Sequence, residues 1–374
     1  MSQASGRAAG KVQVRKVFDN GMHNAFTSLA RWRNRLYLAF RTAESHVNPD
    51  APEGVITLLV SEDDGASWSH LATFTGLYGK DLRDTKLLAT SERLYLHTFE
   101  YQCRDRRDAM VTWTEDGVRF VPVQRAVHEE NHVIWWPVHH GGRFFATGYR
   151  YSGEKRAIRT AFFTSGDGVA WRVAGLVSDV PWSNEAALVM EEDGTATALV
   201  RNDGERLSPP ASDGRPVFAR AAAPYTRWTY TGVERKLKGL ALLRVPGGYV
   251  IAARDLEEGD ARTACFFCDE RRLAPPGAPA ATPTGTATPA GTPAPAAAPH
   301  TRVVPRHLFT LPSGGDTAYA GFVREGRRVL MSYYSSHEYG EEEGKRPACI
   351  YLAEFNLDDV LGDAGGCGRE GGRE

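Results

Sequence analysis

No apolar run in this chain of 374 residues reaches the ~18 positions needed to cross a bilayer. The stretch 1–16 also lacks an uninterrupted apolar core, so neither a membrane anchor nor a secretory signal is expected. Cysteine is scarce and odd in number. Cys103, Cys265, Cys268, Cys349 and Cys367 do not describe a disulfide framework, and a reduced, cytoplasmic setting is the expectation. An excess of either charge is missing too: 45 Lys and Arg nearly cancel 46 Asp and Glu, leaving a formal net charge of −1. Nucleic-acid-coating and membrane-surface proteins carry a basic excess, so neither partner is expected. There is no phosphate-binding loop, no Gly-x-Ser-x-Gly elbow and no His-rich metal motif, and no cofactor or metal is expected. Helical periodicity is hard to find anywhere.

What is present is an ordinary globular composition, 42% hydrophobic and 24% charged, arranged as short apolar runs between Gly, Asp and Asn turns. RLYLAF, VITLLV, RLYLHTF, RFFATGY, TALV and GYVIAA read as strands. They fall into a repeat. The second strand of each unit closes near Arg41, Glu100, Arg150, Arg201, Arg254 and Tyr334, a spacing of about fifty residues once one insertion is set aside. Six units of four strands predict an all-β, six-bladed β-propeller, a single domain over 12–361. Residues 274–300 are almost entirely Pro, Ala, Gly and Thr and predict a disordered insertion within it. The Gly-rich segment 362–374 predicts a flexible tail.

Ser61–Trp68 fits the pattern S-x-D-x-G-x-[ST]-W, and degenerate copies stand at Thr114–Phe120 and Thr164–Trp171. In such a hairpin turn Asp folds its carboxylate onto turn amides, Gly takes a positive φ, and the aromatic tucks beneath. Over roughly residues 12–360 the chain resembles the Asp-box (BNR-repeat) propellers, whose best-known enzymes are the sialidases (neuraminidases). The resemblance supports the fold. It says little about chemistry, because these turns are structural and also occur in non-enzymatic propellers.

In a propeller, residues that open first strands and close second strands ring one mouth of the central channel. Arg41, Glu44, His46, Arg83, Asp84, Glu100, Arg150, Glu185, Arg201, Arg254, Asp316, Tyr319, Tyr333, Tyr334 and His337 belong to that rim. Glu185 and Arg201 stand out because both are equidistant from Asp193 in the turn Glu192-Asp193-Gly194, which makes them cross-strand neighbours. Two readings stay open: a salt bridge closing a hairpin, or a carboxylate and a guanidinium fixed side by side for chemistry.

The resemblance adds roles. Asn184–Leu188 with Leu199–Asn202 looks like the fourth-blade segment of sialidases, in which a Glu opens one strand and an Arg closes the next. Ala318–Phe322 resembles the segment that carries their catalytic Tyr, implying Tyr319, with Tyr333 and Tyr334 as competitors. Asp50 resembles their acid/base Asp in the loop after the second strand of blade one, and Asp84, opening a first strand toward the channel, is the alternative. Sialidases grip the substrate carboxylate with three arginines, whose planar forks suit bidentate binding. The first stands in an Arg-Ile-Pro motif opening blade one, and the matching stretch here, Met22–Thr27, has no arginine. Arg41 or Arg83 would replace it, with Arg201 as the second and Arg254 or Arg262 as the third.

The implied function is an exo-glycosidase hydrolysing a terminal acidic, sialic-acid-like sugar of a glycan or small-molecule substrate, without a cofactor. A neutral phenol suits an anionic sugar, which would repel a carboxylate nucleophile. The alternatives are a non-catalytic propeller binding a glycan or protein, and a glycosidase or lyase for another acidic sugar. Cys265 and Cys268, three apart on a strand, read as small buried hydrophobes. Trp135-Trp136 reads as core packing or as an aromatic floor for a sugar ring.

Overall fold

The computed structural model describes residues 11–46, 54–103, 106–150, 158–257, 259–277, 301–339 and 347–362. Their strands form the expected propeller of six four-stranded antiparallel blades. The innermost strands are His23–Trp32, Asp81–Ala89, His132–His140, Ser183–Met190, Leu237–Val245 and Thr317–Glu325, in blades I to VI. Second strands end at Ala43, Cys103, Arg150, Asn202, Asp255 and Ser335, beside the starts of the first. Both sets therefore meet at one mouth. At the opposite rim tight turns join the two strands: Arg33-Asn34 (φ 48° and 63°) and Gly141-Gly142 (57° and 73°) have the paired positive φ of a two-residue hairpin.

Blade VI combines the first described strand with the last three. Its outermost strand is Val12–Phe18, paired antiparallel with Cys349–Asn356. Blade IV carries an extra parallel strand, Arg302–Val303. The expected insertion falls between the third and fourth strands of blade V, Arg262–Asp269 and Arg306–Thr310; most of it (278–300), and the tail 363–374, lie outside the described residues. No helix among the described residues is long and apolar enough to cross a membrane.

Second strands are pressed between neighbouring blades on both faces, so they read as continuous apolar runs rather than as alternation. Leu36, Tyr37, Leu38, Ala39 and Phe40 are at most 1% exposed. Each large side chain buried this way contributes about 1.5–3 kcal/mol. The three turns that fit the sequence pattern share one bonding scheme, between third and fourth strands of blades I to III. Asp63 Oδ1 accepts from Ser67 N at 2.8 Å, Asp116 Oδ1 from Arg119 N at 2.8 Å, and Asp167 Oδ1 from Ala170 N at 2.9 Å. The bonds from Ser67 hold the Asp63 carboxyl down at about 2.

Candidate active site

Every innermost strand breaks its ladder once near the mouth. The register slips between Ala25 and Ser28, Arg83 and Lys86, Ile134 and Trp136, Ser183 and Ala186, Lys238 and Ala241, and Ala318 and Gly321. A bulge inserts a residue and re-aims its side chain. Phe26, Asp84, Trp135, Glu185, Gly239 and Tyr319 lie within these slips. Phe26, Asp84 and Tyr319 have φ of 60°, 51° and 50°, a left-handed conformation costing about 1–3 kcal/mol for a residue with a side chain. Hydroxyls satisfy carbonyls along these bulged strands: Thr98 Oγ1 donates to Arg83 O (2.6 Å) and Thr27 Oγ1 to Tyr319 O (3.0 Å).

The bulges of blades IV and VI bring Glu185 and Tyr319 together across the channel. Tyr319 Oη donates to Glu185 Oε1 at 3.0 Å, and Arg201 Nη1 donates to both Glu185 Oε2 (2.8 Å) and Tyr319 Oη (2.9 Å). Arg201 Nη2 pairs with Asp203 Oδ2 at 2.9 Å, and Asp203 in turn holds Lys238 and Asn184. Arg201 Nε is buried without a hydrogen-bond partner among the described residues. Tyr319 is 9% exposed and packs edge-on against Phe26 and Trp135.

Burial raises the Glu185 carboxyl above its ordinary range, with Arg201 opposing. Burial and the Glu185 charge lift the Tyr319 phenol well above its ordinary value. Burial works against the Arg201 charge, but Glu185, Tyr319 and Asp203 outweigh it and hold the guanidinium firmly protonated. In this geometry the phenol donates to the Glu185 carboxyl.

These groups line a cavity of about 280 Å³ together with Phe26, His46, Arg83, Asp84, Phe99, Tyr101, Arg107 and Tyr149. Beside it, Asp316 gathers four donors. Oδ1 accepts from Arg254 Nη2 (2.8 Å) and Tyr334 Oη (2.8 Å), and Oδ2 from His23 Nε2 (2.9 Å) and His46 Nδ1. The two histidines hold its carboxyl below the usual carboxylate range, against the opposing effect of burial. An ionised carboxylate only accepts, so both ring nitrogens facing it carry protons. Although the three side chains lie close enough together to suggest metal ligation, these bonds describe a carboxylate hub.

Of the residues expected from sequence, Glu185, Arg201, Tyr319, Asp84, Arg83 and His46 converge on the cavity. Arg83 Nε faces Asp84 Oδ2 at 3.6 Å, and its Nη1 donates to the His46 carbonyl at 3.0 Å. Arg41 does not join them: its fork is closed bidentately on Asp81 (2.7 and 2.9 Å) and it is 3% exposed. Arg254 is turned to Asp316 and to the Thr317 carbonyl. Tyr333 donates to the Pro312 carbonyl and Tyr334 to Asp316, so neither phenol reaches Glu185. Glu100 leaves the rim to accept the Tyr78 and Lys80 amides. Asp50 lies outside the described residues. Trp135 is 2% exposed and braces Tyr319, while Lys86 sits over Trp135 and Trp136 at 5.1 and 5.3 Å, its pKa lowered by burial to about 8. Phe26, Arg107 and Tyr149 were not foreseen. Arg107 comes from a third strand, and Phe26 from the stretch where an arginine was missing.

Gly239, at the slip of blade V, lets Tyr319 occupy the channel. With φ at 61°, a Cβ there would meet Ala318 Cβ at 3.1 Å and Tyr319 Cδ2 at 3.2 Å. Gly239→Ala is expected to destabilise the fold by about 1–2 kcal/mol through its positive φ. By displacing the phenol it is also expected to lower turnover by about 10²-fold on any substrate that needs it. Thermal melts and steady-state rates on the same preparation check this; unchanged turnover would mean that Tyr319 tolerates the displacement.

No protein-family model matches the chain, and no curated protein matches it either. Solved structures do. The chain is similar to an endosialidase of phage phi92, with TM-score 0.66 at 10% identity, covering 93% of this chain and 69% of that one. A Trypanosoma rangeli sialidase in complex with 2,3-difluorosialic acid, described as a covalent intermediate, matches with TM-score 0.60 at 10% identity (92% of this chain, 57% of that one). A Penicillium chrysogenum α-L-arabinanase complexed with arabinobiose matches with TM-score 0.61 at 10% identity (91% and 95%). At such identities the likeness is one of fold: a sialidase-like propeller.

Proposed function

We propose that this protein is a retaining exo-glycosidase acting on a terminal acidic sugar, with Tyr319 as nucleophile and Glu185 as the base that takes the phenol proton. The observation that carries this reading is the closed triangle of Tyr319 Oη, Glu185 and Arg201, with edges of 2.8 to 3.0 Å, on the wall of a cavity of about 280 Å³. An ordinary phenol titrates near ~10 and is a poor nucleophile at neutral pH, so a tyrosine that attacks carbon needs a base within hydrogen-bond reach. Burial raises the pKa of that base and Arg201 opposes the rise, while Arg201 itself stays firmly protonated beside it. Arg83 supplies a second guanidinium at the same cavity, and Asp84 an acceptor for sugar hydroxyls.

A second acidic sugar class is favoured by one feature. Phe26 joins the cavity wall from the stretch Met22–Thr27, so blade I opens there without the arginine of the sialidase pattern. The test is a covalent trap. A panel of 2,3-difluoro sialic acid and 2-deoxy-2-fluoro uronosyl fluorides should label the native protein, and peptide mass mapping should place the label on Tyr319. Label on Glu185 or Asp84 would keep a retaining hydrolase and discard the tyrosine, and absence of label with every member would return the cavity to a binding role.

A further inference from the structure

We infer that His46 is the catalytic acid of this site, delivering the proton to the leaving oxygen and later removing one from water. The inference rests on the glycosidase reading above. His46 follows the second strand of blade I and lines the same cavity as Tyr319, Glu185 and Asp84. Its Nδ1 donates to Asp316 Oδ2, a carboxylate already fixed by His23, Arg254 and Tyr334. That bond settles the tautomer and leaves Nε2 as the ring atom for exchange, with no hydrogen-bond partner among the described residues.

The ring is held rather than merely near. Phe26 packs against it edge-on at 5.2 Å, and the same Phe26 ring meets Tyr319 edge-on, also at 5.2 Å. The His23 ring lies at 5.4 Å, and burial lowers its pKa, with Asp316 opposing. Arg83 Nη1 ties down the His46 carbonyl and Arg41 Nη1 the Ser45 carbonyl, both at 3.0 Å. Asp316, Arg83, Arg41 and His23 are thus the titratable and charged groups around the imidazole, with Asp84 across the cavity.

Depth decides between His46 and Asp84. In a pocket that takes a terminal sugar, the sugar ring goes in first and the leaving group points out. Glu185 and Asp84 side chains are 13% and 9% exposed, whereas the imidazole is 43% exposed, at the level where a leaving oxygen would sit. Asp84 is already paired with Arg83. In the first step the imidazolium, carrying a proton on each nitrogen, passes its Nε2 proton to the glycosidic oxygen as that oxygen's bond to the anomeric carbon breaks. Tyr319 Oη bonds to that carbon, and the phenol proton goes to Glu185. In the second step neutral Nε2 takes a proton from water, whose oxygen bonds to the anomeric carbon. The carbon–Tyr319 bond then breaks, and Glu185 returns its proton to the phenolate.

A good leaving group needs no proton, which supplies the test. The wild-type full chain is first given 4-nitrophenyl glycosides of N-acetylneuraminic, glucuronic and galacturonic acids, and the best sugar is then compared as its 4-nitrophenyl and methyl glycosides. His46→Gln is expected to lower kcat/KM about 10²–10⁴-fold on the methyl glycoside and less than about tenfold on the nitrophenyl one. Azide should restore nitrophenyl turnover and yield the glycosyl azide. His46→Ala should behave alike, with thermal melts confirming both folds, while Asp84→Asn should weaken both substrates equally. Equal losses on both glycosides for the His46 variants, or no loss on the methyl one, would overturn the assignment and leave the glycosidase reading standing. A wild type inert on every glycoside would instead remove that reading, and the role of His46 with it.

Discussion

Tyr319→Phe is expected to fold normally and to lose at least about 10³-fold in kcat, since removing a nucleophile leaves only what binding and the remaining polar groups supply. The ring still packs against Phe26 and Trp135 and only the hydroxyl is lost, so the melting temperature should barely move. Glu185→Gln should cost about 10²–10⁴-fold, the usual worth of a positioned base. The amide still meets Arg201 and Tyr319 but cannot accept the phenol proton. The double variant should be little worse than the worse single one, because the two side chains act as one unit. Turnover retained in Tyr319→Phe would defeat the mechanism outright.

Arg201→Met is expected to unfold more easily by about 3–5 kcal/mol at neutral pH, because removing one partner strands buried charge. Glu185 and Asp203 both lose their guanidinium, and Asp203 alone keeps a cation, Lys238. The penalty should shrink as pH falls. Burial already raises the Glu185 carboxyl, and without Arg201 it rises further. A carboxyl raised in the folded state contributes stability below its unfolded pKa and loses it as pH rises through the folded one. Denaturant unfolding at pH 5 and pH 7.5 should therefore show a smaller gap from wild type at pH 5. In surviving activity the acidic limb should move to higher pH, since under the proposed mechanism Glu185 acts as a base. A gap independent of pH would mean that Glu185 does not feel Arg201.

The blade count was legible because it depends on chain length per hairpin, which spacing records directly. Glu185 with Arg201 was legible for a related reason: a symmetric hairpin about Asp193 predicts the contact, and the slip between Ser183 and Ala186 does not undo it. Topology put Tyr319 on the rim, but its role as nucleophile came from resemblance alone. The bulge at Ala318–Gly321, which turns its phenol across the channel, has no signature in residue type except at Gly239. Arg41 was misjudged as a ligand because its partner Asp81 belongs to the next blade, and no local pattern announces that pairing. Arg107 was overlooked because the rim rule considered only first and second strands. Side-chain direction at a mouth is decided between blades, and a single sequence records little of that.

The first and last described strands pair in blade VI, and its innermost strand is the one that carries Tyr319. Joining Val12–Phe18 to Cys349–Asn356 closes nearly the whole chain into one loop, an entropic cost that grows only as the logarithm of length but must be met before the contact rewards it. Such distant pairings form late and slowly. Tyr319, Glu185 of blade IV and the Asp316 hub thus take their places only when the ring is shut. If the proposed activity holds, its recovery on refolding would then report circular closure itself, lagging the secondary structure of blades already formed.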